Sequence, residues 1–244
     1  MADLEVAKHT KKVYKIWNNK QYSFWHKLKE FLIEIIIIVF AVSISIWFHN
    51  ISEHNHEKKE AITFFKGLQS DLVKDITEMQ QDSLSFVEQQ NYFHFIIDSA
   101  YANYDSALLM DRRFLFTNIT VLLPNISRFE ALKYAGKMKI IENTELLDEI
   151  ISLYEEQIPV LLNTAKKFAA DKETNVVSIL DKNRLLLRGS YKALKQILQQ
   201  NEDLKYQIKR RQNEIYYIID EYHLLINQHR KIINLITIEL DHLN

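Results

Sequence analysis

The sequence predicts an all-α protein: one N-terminal transmembrane helix continuing into an elongated antiparallel helical bundle with coiled-coil-like seams. Three observations predict it. The chain has three glycines and two prolines in 244 residues, about 2 % where an average protein has roughly 12 %, so it is poor in the residues that build tight turns. Phe31 to Phe48 is an apolar run interrupted by one charge, Glu34. Beyond it, long segments carry apolar residues at steps of three and four, the spacing of one helix face.

The apolar run is eighteen residues long, so at ~1.5 Å per residue it spans about 27 Å, close to the ~30 Å hydrocarbon core of a bilayer. Thirteen of the eighteen are Leu, Ile, Phe or Val. At roughly −0.3 to −0.6 kcal/mol each they outweigh an off-centre glutamate at less than about +3 kcal/mol. The run ends Ile46-Trp47-Phe48-His49-Asn50 without an Ala-x-Ala pattern, and a lysine-bearing lead precedes it; this reads as an uncleaved anchor rather than a signal peptide. Lys8, Lys11, Lys12, Lys15, Lys20, Lys27 and Lys29 lie on its N-terminal side. Lys58, Lys59 and Lys66 follow it, interleaved with Glu53, Glu57 and Glu60. That asymmetry places the N-terminus in the cytoplasm. The expected organisation is a basic, aromatic cytoplasmic lead over 1–27, a span over 28–49 and a helical extracytoplasmic domain over 50–244. Tyr22, Trp25 and Trp47 mark the two interfaces, and Tyr14 and Trp17 extend the aromatic belt or belong to a tail. Glu34 has three readings: snorkelling towards Lys27 and the headgroups, membership of a packing face, or a proton relay. The packing face consists of Glu34, Ala41 and Ser45, within about 40° of one another on a helix. Ala41-x-x-x-Ser45 on that face is a small-xxx-small spacing that lets two helices approach closely.

The stripe after the span, Ile62, Phe65, Leu68, Leu72, Ile76, Met79, Phe86, Phe93, Ile97, Tyr101, Tyr104 and Leu108, predicts a rod from Ser52 to about Leu108 with bends at Asp82-Ser83 or Asp98-Ser99. Asp111 to Pro124 loses the period and reads as a partly extended connector. Ser127-x-x-Glu130 is a capping-box pattern for a helix from Arg128 to Ala135, with Gly136 at its C′ position. Asn143 or Thr144 caps the next helix, whose first turns carry Glu145, Asp148 and Glu149. It is expected to run to about Ala170, with Pro159 kinking it near Gln157. Lys172 to Gly189 reads as a shorter helix, Ser190 as a new N-cap, and Asn201-Glu202-Asp203 as the start or the interior of the last helix. Leu204, Ile208, Ile215, Ile219, Tyr222, Leu225, Ile226, Ile233, Ile236 and Leu240 form the final stripe, expected to lie antiparallel to the rod.

Two stretches carry a resemblance. In the first, Glu34, Ala41, Asn50 and Glu53 stand at the positions of an anchor that reads Gly-Glu, an apolar stretch with an internal Gly, then Gln-x-Asn-Asn-Trp-Asn-Glu. Ile33, Trp47 and Ile51 depart from its Gly, Gln and Trp. The second is Phe129 to Gly136, Ile140-Ile141-Glu-Asn143, and Leu146 to Tyr154. Together they resemble a family of uncharacterised single-span membrane proteins, a domain of unknown function, of Gram-negative bacteria. The resemblance implies an inner-membrane anchor with a helical periplasmic domain, and it implies no activity.

The remaining constellations are weak. A net charge of −1 gives no field that draws in nucleic acid. The absence of cysteine excludes disulfides, thiolate metal sites and thiol catalysis. His49, His54 and His56 with Glu53 and Glu57 form a collar after the span, read as solvated, with metal binding and pH response as rivals. Glu53-x-x-His56 and Glu239-x-x-His242 have the spacing of di-iron bundles, but such sites also need two further inward carboxylates, and Glu239 sits beside the apolar stripe rather than on it, so neither metal nor cofactor is assigned. Tyr92-Phe93-His94-Phe95 reads as helix packing and Lys209-Arg210-Arg211 as a solvated face. Asn118-Ile-Thr and Asn125-Ile-Ser are glycosylation sequons by pattern only. There is no phosphate loop, His-Glu-x-x-His or nucleophile elbow, so no enzyme is expected and no small-molecule ligand is identified. The expectation is a structural or interaction protein. Its partners are the lipid bilayer and a second copy or another membrane protein, met through the transmembrane and coiled-coil-like faces. A signal-transducing subunit with a ligand-binding bundle is the alternative, although a lead of this length is too short for an output domain. An ion-coupled subunit using Glu34 is a second alternative.

Overall fold

The computed structural model describes residues 11, 14, 23–99, 111–184 and 191–243, and these are helical with no strand among them. Helix α1 is Phe24–Ser99. After it come a 3-10 turn, Arg113–Phe116, and an irregular connector over 118–126; then helix α2, Ser127–Tyr134, and a second 3-10 turn, Met138–Ile140. Helices α3 (Thr144–Ser152), α4 (Ile158–Lys172) and α5 (Ser178–Lys182) follow one another through two π turns, Leu153–Gln157 and Glu173–Val177. Helix α6 is Tyr191–Gln200 and helix α7 is Glu202–Leu243. By compactness the chain divides into Met1–Glu60 and Ala61–Asn244, and α1 runs through the division.

In the first unit, α1 is long and apolar enough to cross a membrane, its most apolar eighteen-residue window having a mean hydropathy of 2.7. Its large apolar side chains point outwards all round the helix, Ile36 and Phe40 each being 65 % exposed. Of the lysines that set the expected orientation on the N-terminal side, only Lys11 and Lys29 are among the residues whose side chains are described; Lys8, Lys12, Lys15, Lys20 and Lys27 lie outside them.

In the second unit, α1 buries Ala61, Phe65, Leu68, Leu72, Met79, Phe86, Phe93 and Ile96. Helix α7 runs antiparallel to it: Gln69 bonds Thr237, Asp82 accepts from Tyr222, and Gln90 donates to the Gln212 carbonyl. Residues 144–182 also run antiparallel to α7, with Asn143 donating to Glu239, Lys231 paired with Glu145 and Glu149, and Asp171 paired with Arg211. Phe86 holds the middle of this core, its ring 5.9 Å from both Phe168 and Tyr222.

Local rules set most of the ends. Asn143 caps α3 by accepting from the Leu146 N–H at 3.1 Å, and Asn201 caps α7 by accepting from Leu204 N–H at 2.9 Å. Gly136 has φ +67° and closes α2 in a paired C-terminal motif: Gly136 N–H donates to Lys133 O and Lys137 N–H to Leu132 O. Pro159 lacks an N–H, and its ring crowds the carbonyl four residues back. The helix accommodates it with a π turn just upstream, in which Ile158 N–H reaches back to Leu153 O. Each π turn also brings two adjacent side chains inward, Leu153 with Tyr154 and Val176 with Val177.

Three expectations are corrected. The N-cap of α2 is Ile126, with no side-chain cap bond, so Ser127 and Glu130 form no capping box and the helix starts one residue early. The reason is Asn125, which is tied to Asp75 and fixes the entry of the chain. The helix begun at Thr144 continues beyond Ala170 to Lys182, because Val176, Val177 and Leu180 find core contacts that override weak helix propensity. Arg211 is not on a solvated face; it is fully buried. Tyr101, Tyr104, Leu108 and Ser190 lie outside the described residues.

Gly67 sits inside α1, where glycine costs about 1 kcal/mol relative to alanine. A Cβ there would lie 2.2 Å from Cζ of Arg128, whose guanidinium crosses the helix at this point to meet Asp71 at 2.8 Å. Gly67→Ala should therefore be near neutral alone, the propensity gain offset by displacement of Arg128, and stabilising by about 1 kcal/mol in an Arg128→Ala background. Urea denaturation of the four-member cycle measures this; strict additivity would contradict the close approach.

Candidate functional site: a buried polar seam

The inward stripe of α1 steps by four and three from Ala61 to Ile96, and three of its positions, seven residues apart, are polar: Asp75, Asp82 and Gln89. Asp75 and Gln89 are buried and Asp82 is half-buried. A second row, Asp71, Glu78 and Ser85, lies beside them. These two rows hold the irregular connector. Arg128 donates to Asp71. Asn125 donates its backbone N–H (3.1 Å) and its side-chain amide (2.6 Å) to Asp75. Leu123 N–H donates to Glu78 at 2.8 Å, Asn118 and Thr120 meet Ser85 at 3.1 Å, and Gln89 donates to Leu115 O. The connector thus runs back along α1, and α1 side chains replace the ladder that a strand would have.

Helix α7 answers the same positions. Its buried stripe includes Arg211, Tyr222 and His229. Tyr222 donates to Asp82 at 3.0 Å. Burial pushes the Asp82 carboxyl up from its ordinary value, against the Tyr222 bond, and nearby Glu78 adds to the rise. His229 and Asp75 are both fully buried, with Nε2 of His229 at 3.9 Å from Oδ2 of Asp75. Nδ1 of His229 lies 2.8 Å from Leu225 O, so it carries the proton that the carbonyl accepts, and Nε2 has no hydrogen bond. Further along, Arg211 donates through Nη2 to Glu214 at 2.9 Å and lies 3.3 Å from Asp171. Its Nε is also 2.9 Å from Glu214, but off the N–H direction, so this contact is an ion pair without a hydrogen bond.

Lys172, 2 % exposed, donates to Asn118 O and lies 5.4 Å above the Phe168 ring. Burial brings its ammonium down from the ordinary 10.5 to about 8, and Glu173 opposes this only weakly. An amine with a lowered pKa is a common nucleophile or base, but this one donates to a backbone carbonyl.

Of the residues singled out from the sequence, Ser45 donates to Ala41 O at 2.9 Å, and both are exposed, whereas Glu34 is buried and has an interaction partner. His49 pairs with Glu53 at 3.8 Å and His56 with Glu60 at 3.4 Å, all along one helix. Glu239 is engaged by Asn143. No cluster of three His, Asp or Glu able to hold a metal occurs among the described residues. Tyr92 and Phe93 are core residues packed on Phe116, at 5.3 and 5.8 Å between ring centroids. Sequence reasoning took Asp82 for a bend and passed over Asp75, Gln89 and His229; the seven-residue repeat of Asp75, Asp82 and Gln89 inside an apolar stripe was the available signal.

Removing the Asp75 carboxylate leaves the Asn125 N–H without an acceptor and the buried His229 ring without its polar neighbour. Asp75→Ala should cost about 2–4 kcal/mol and speed hydrogen exchange at Asn125 more than at Leu123, whose acceptor is Glu78; equal acceleration would contradict the assignment. Lys172 gives a pH signature. The unfolded chain holds its proton up to about 10.5 and the folded chain only to about 8, so between these values the unfolded state binds more protons. Stability should then rise with pH by up to ~1.4 kcal/mol per unit. Lys172→Met should remove that slope, and an unchanged slope would place the amine in water.

Comparison with protein-family models, curated proteins and solved structures returns no match.

Proposed function

We propose that the chain is a single-pass inner-membrane protein, N-terminus in the cytoplasm and helical domain in the periplasm, serving as a structural or interaction subunit of a membrane complex. The observation that carries this reading is the outward apolar surface of residues 31–48. Phe31, Ile33, Ile37, Phe40, Ile44 and Phe48 are all at least 36 % exposed on a helix whose mean hydropathy reaches 2.7. Leaving such side chains in water forgoes roughly 1.5–3 kcal/mol each, and lipid is the medium that recovers it. Trp25 and Trp47, 76 % and 59 % exposed, flank the segment where interfacial aromatics belong. The lysine asymmetry supports the orientation, and the resemblance to the uncharacterised anchored family supports the plan.

The interaction role draws on what the domain displays. Asp75, Asp82 and Arg211 in its core are engaged within the domain, while Tyr206, Tyr217 and Leu224 form an exposed apolar line on α7. A signal-transducing role draws on one further observation: the helix that carries Asp75, Asp82 and Gln89 is the helix that carries the apolar segment.

The native chain has no cysteine, so single cysteines report without background. Tyr217→Cys should react with a membrane-impermeant maleimide on spheroplasts, whereas Lys11→Cys should react only after lysis. The reverse pattern would invert the orientation, and a full-length chain recovered soluble after an alkaline wash would overturn the anchor. Oxidative crosslinking of Ser45→Cys tests self-association, with a dimer band expected; its absence leaves a different membrane protein as the partner, to be identified by pull-down from native membranes.

A further inference from the structure

The side of the α1–α7 pair lined by Gln80, Ser83 and Leu84 carries an open groove of about 650 Å³. Gln80, Ser83 and Leu84 of α1 and His223, Ile226, Asn227 and Arg230 of α7 line it. Its floor is Ser83 and Ile226, 6 % and 5 % exposed, and its rim includes Leu84, 66 % exposed. The volume falls within the range of small-molecule sites, roughly 300–1,000 Å³.

The charge pattern is one-sided. Among the described residues no carboxylate lines the groove. Along α7 the neighbours of Arg230 three and four residues away are Ile226, Asn227, Ile233 and Asn234, so the helix supplies no counter-ion by the usual spacing. Arg210, Arg211 and Arg128 each pair with a carboxylate; Arg230 has no ion pair or hydrogen bond with any described residue. Its guanidinium presents a planar fork suited to carboxylate or phosphate oxygens. Asn227 and Gln80 flank it with amide donors, Ser83 offers a hydroxyl from the floor, and His223 stands two turns along on the same line. Leu84 and Ile226 provide an apolar wall beside these donors.

From this juxtaposition we infer that the α1–α7 groove is a binding site for a small anion-headed molecule, a phosphate monoester or carboxylate with a compact apolar body. The anionic head lies on Arg230, Asn227 and Gln80, and the apolar body lies against Leu84 and Ile226. Head and body are both required: the fork alone is solvent-exposed and binds a bare anion weakly, and the apolar wall alone is too small to exclude water. This inference is independent of the placement of residues 31–48.

The test uses the full chain in phosphatidylcholine nanodiscs, with phenyl phosphate, phenylacetate, inorganic phosphate and neutral phenyl β-glucoside as probes. Saturation-transfer NMR and titration read binding. Phenyl phosphate or phenylacetate should bind the wild-type protein, and the stronger of the two fixes the head group. Arg230→Gln should weaken that probe at least tenfold, and Leu84→Ala should weaken it several-fold while leaving inorganic phosphate unchanged. Both side chains are solvent-exposed, so unaltered thermal melts should accompany these losses. Overturning results are no ring signal from either charged probe, equal binding of the glucoside, or affinity unchanged in Arg230→Gln. A loss in Arg230→Gln with no effect of Leu84→Ala would overturn the apolar half and leave a bare-anion site.

Discussion

A length of chain that is neither helix nor strand must still satisfy its backbone donors and acceptors when it packs against a core. Residues 118–126 face that constraint along the side of α1. They meet it with side chains projecting from the helix: Asp75 takes the N–H of Asn125 and Glu78 takes that of Leu123, while Gln89 holds the preceding turn at Leu115 O. Lys172 closes the opposite side by donating to Asn118 O. The connector lets the chain turn back from α1 into the hairpin formed by residues 144–182 and α7, so the fold of the second unit rests on these bonds as much as on its apolar core.

The same side chains help to set the register of α7. Asp75 faces His229 and Asp82 faces Tyr222, seven residues apart on both helices. Sliding α7 by one heptad in one direction would set Ile236 against Asp75; in the other it would set Ile215 against Asp82. Either shift keeps the apolar pattern but buries a carboxylate against an aliphatic chain, at a cost of several kcal/mol. An entirely apolar stripe would lack this discrimination. The polar positions therefore act as a polar residue at a single seam position does when it fixes alignment at some expense of stability.

Much of this fold could be read before the structure, and the failures share one cause. Gly136, Asn143, Asn201 and Pro159 act through their own backbone neighbours, so their roles follow from position alone. Asp75, Asp82 and Gln89 act through distant groups: the separations are 26 for Gln89 to Leu115, 50 for Asp75 to Asn125 and 140 for Asp82 to Tyr222. No local rule links such pairs. A polar residue in an apolar stripe reads as a break in the pattern until its partner is known. Arg211 shows the same effect: beside Lys209 and Arg210 it resembles a solvated basic turn, and only Asp171, brought alongside by the antiparallel hairpin, explains its burial. The run of helix past Ala170 was hidden for a related reason, since Thr174, Asn175, Val176 and Val177 are modest helix formers whose burial decides the outcome.

One consequence concerns how α1 can move. Its bonds to the connector and to α7 are arranged along two adjacent rows, Asp75, Asp82 and Gln89 beside Asp71, Glu78 and Ser85. An axial shift of a single residue, about 1.5 Å, would strain these bonds together, because a ~2.9 Å contact lying across the shift lengthens to about 3.3 Å and loses its alignment. Small displacements are therefore resisted collectively. A larger one finds a matching pattern only after a full heptad, where an isoleucine meets a carboxylate. The seam makes α1 a helix with one favoured axial position in its domain, a property suited to a rigid scaffold. For the same helix to transmit a signal, a ligand or partner would have to supply differential binding energy comparable to the whole line of bonds.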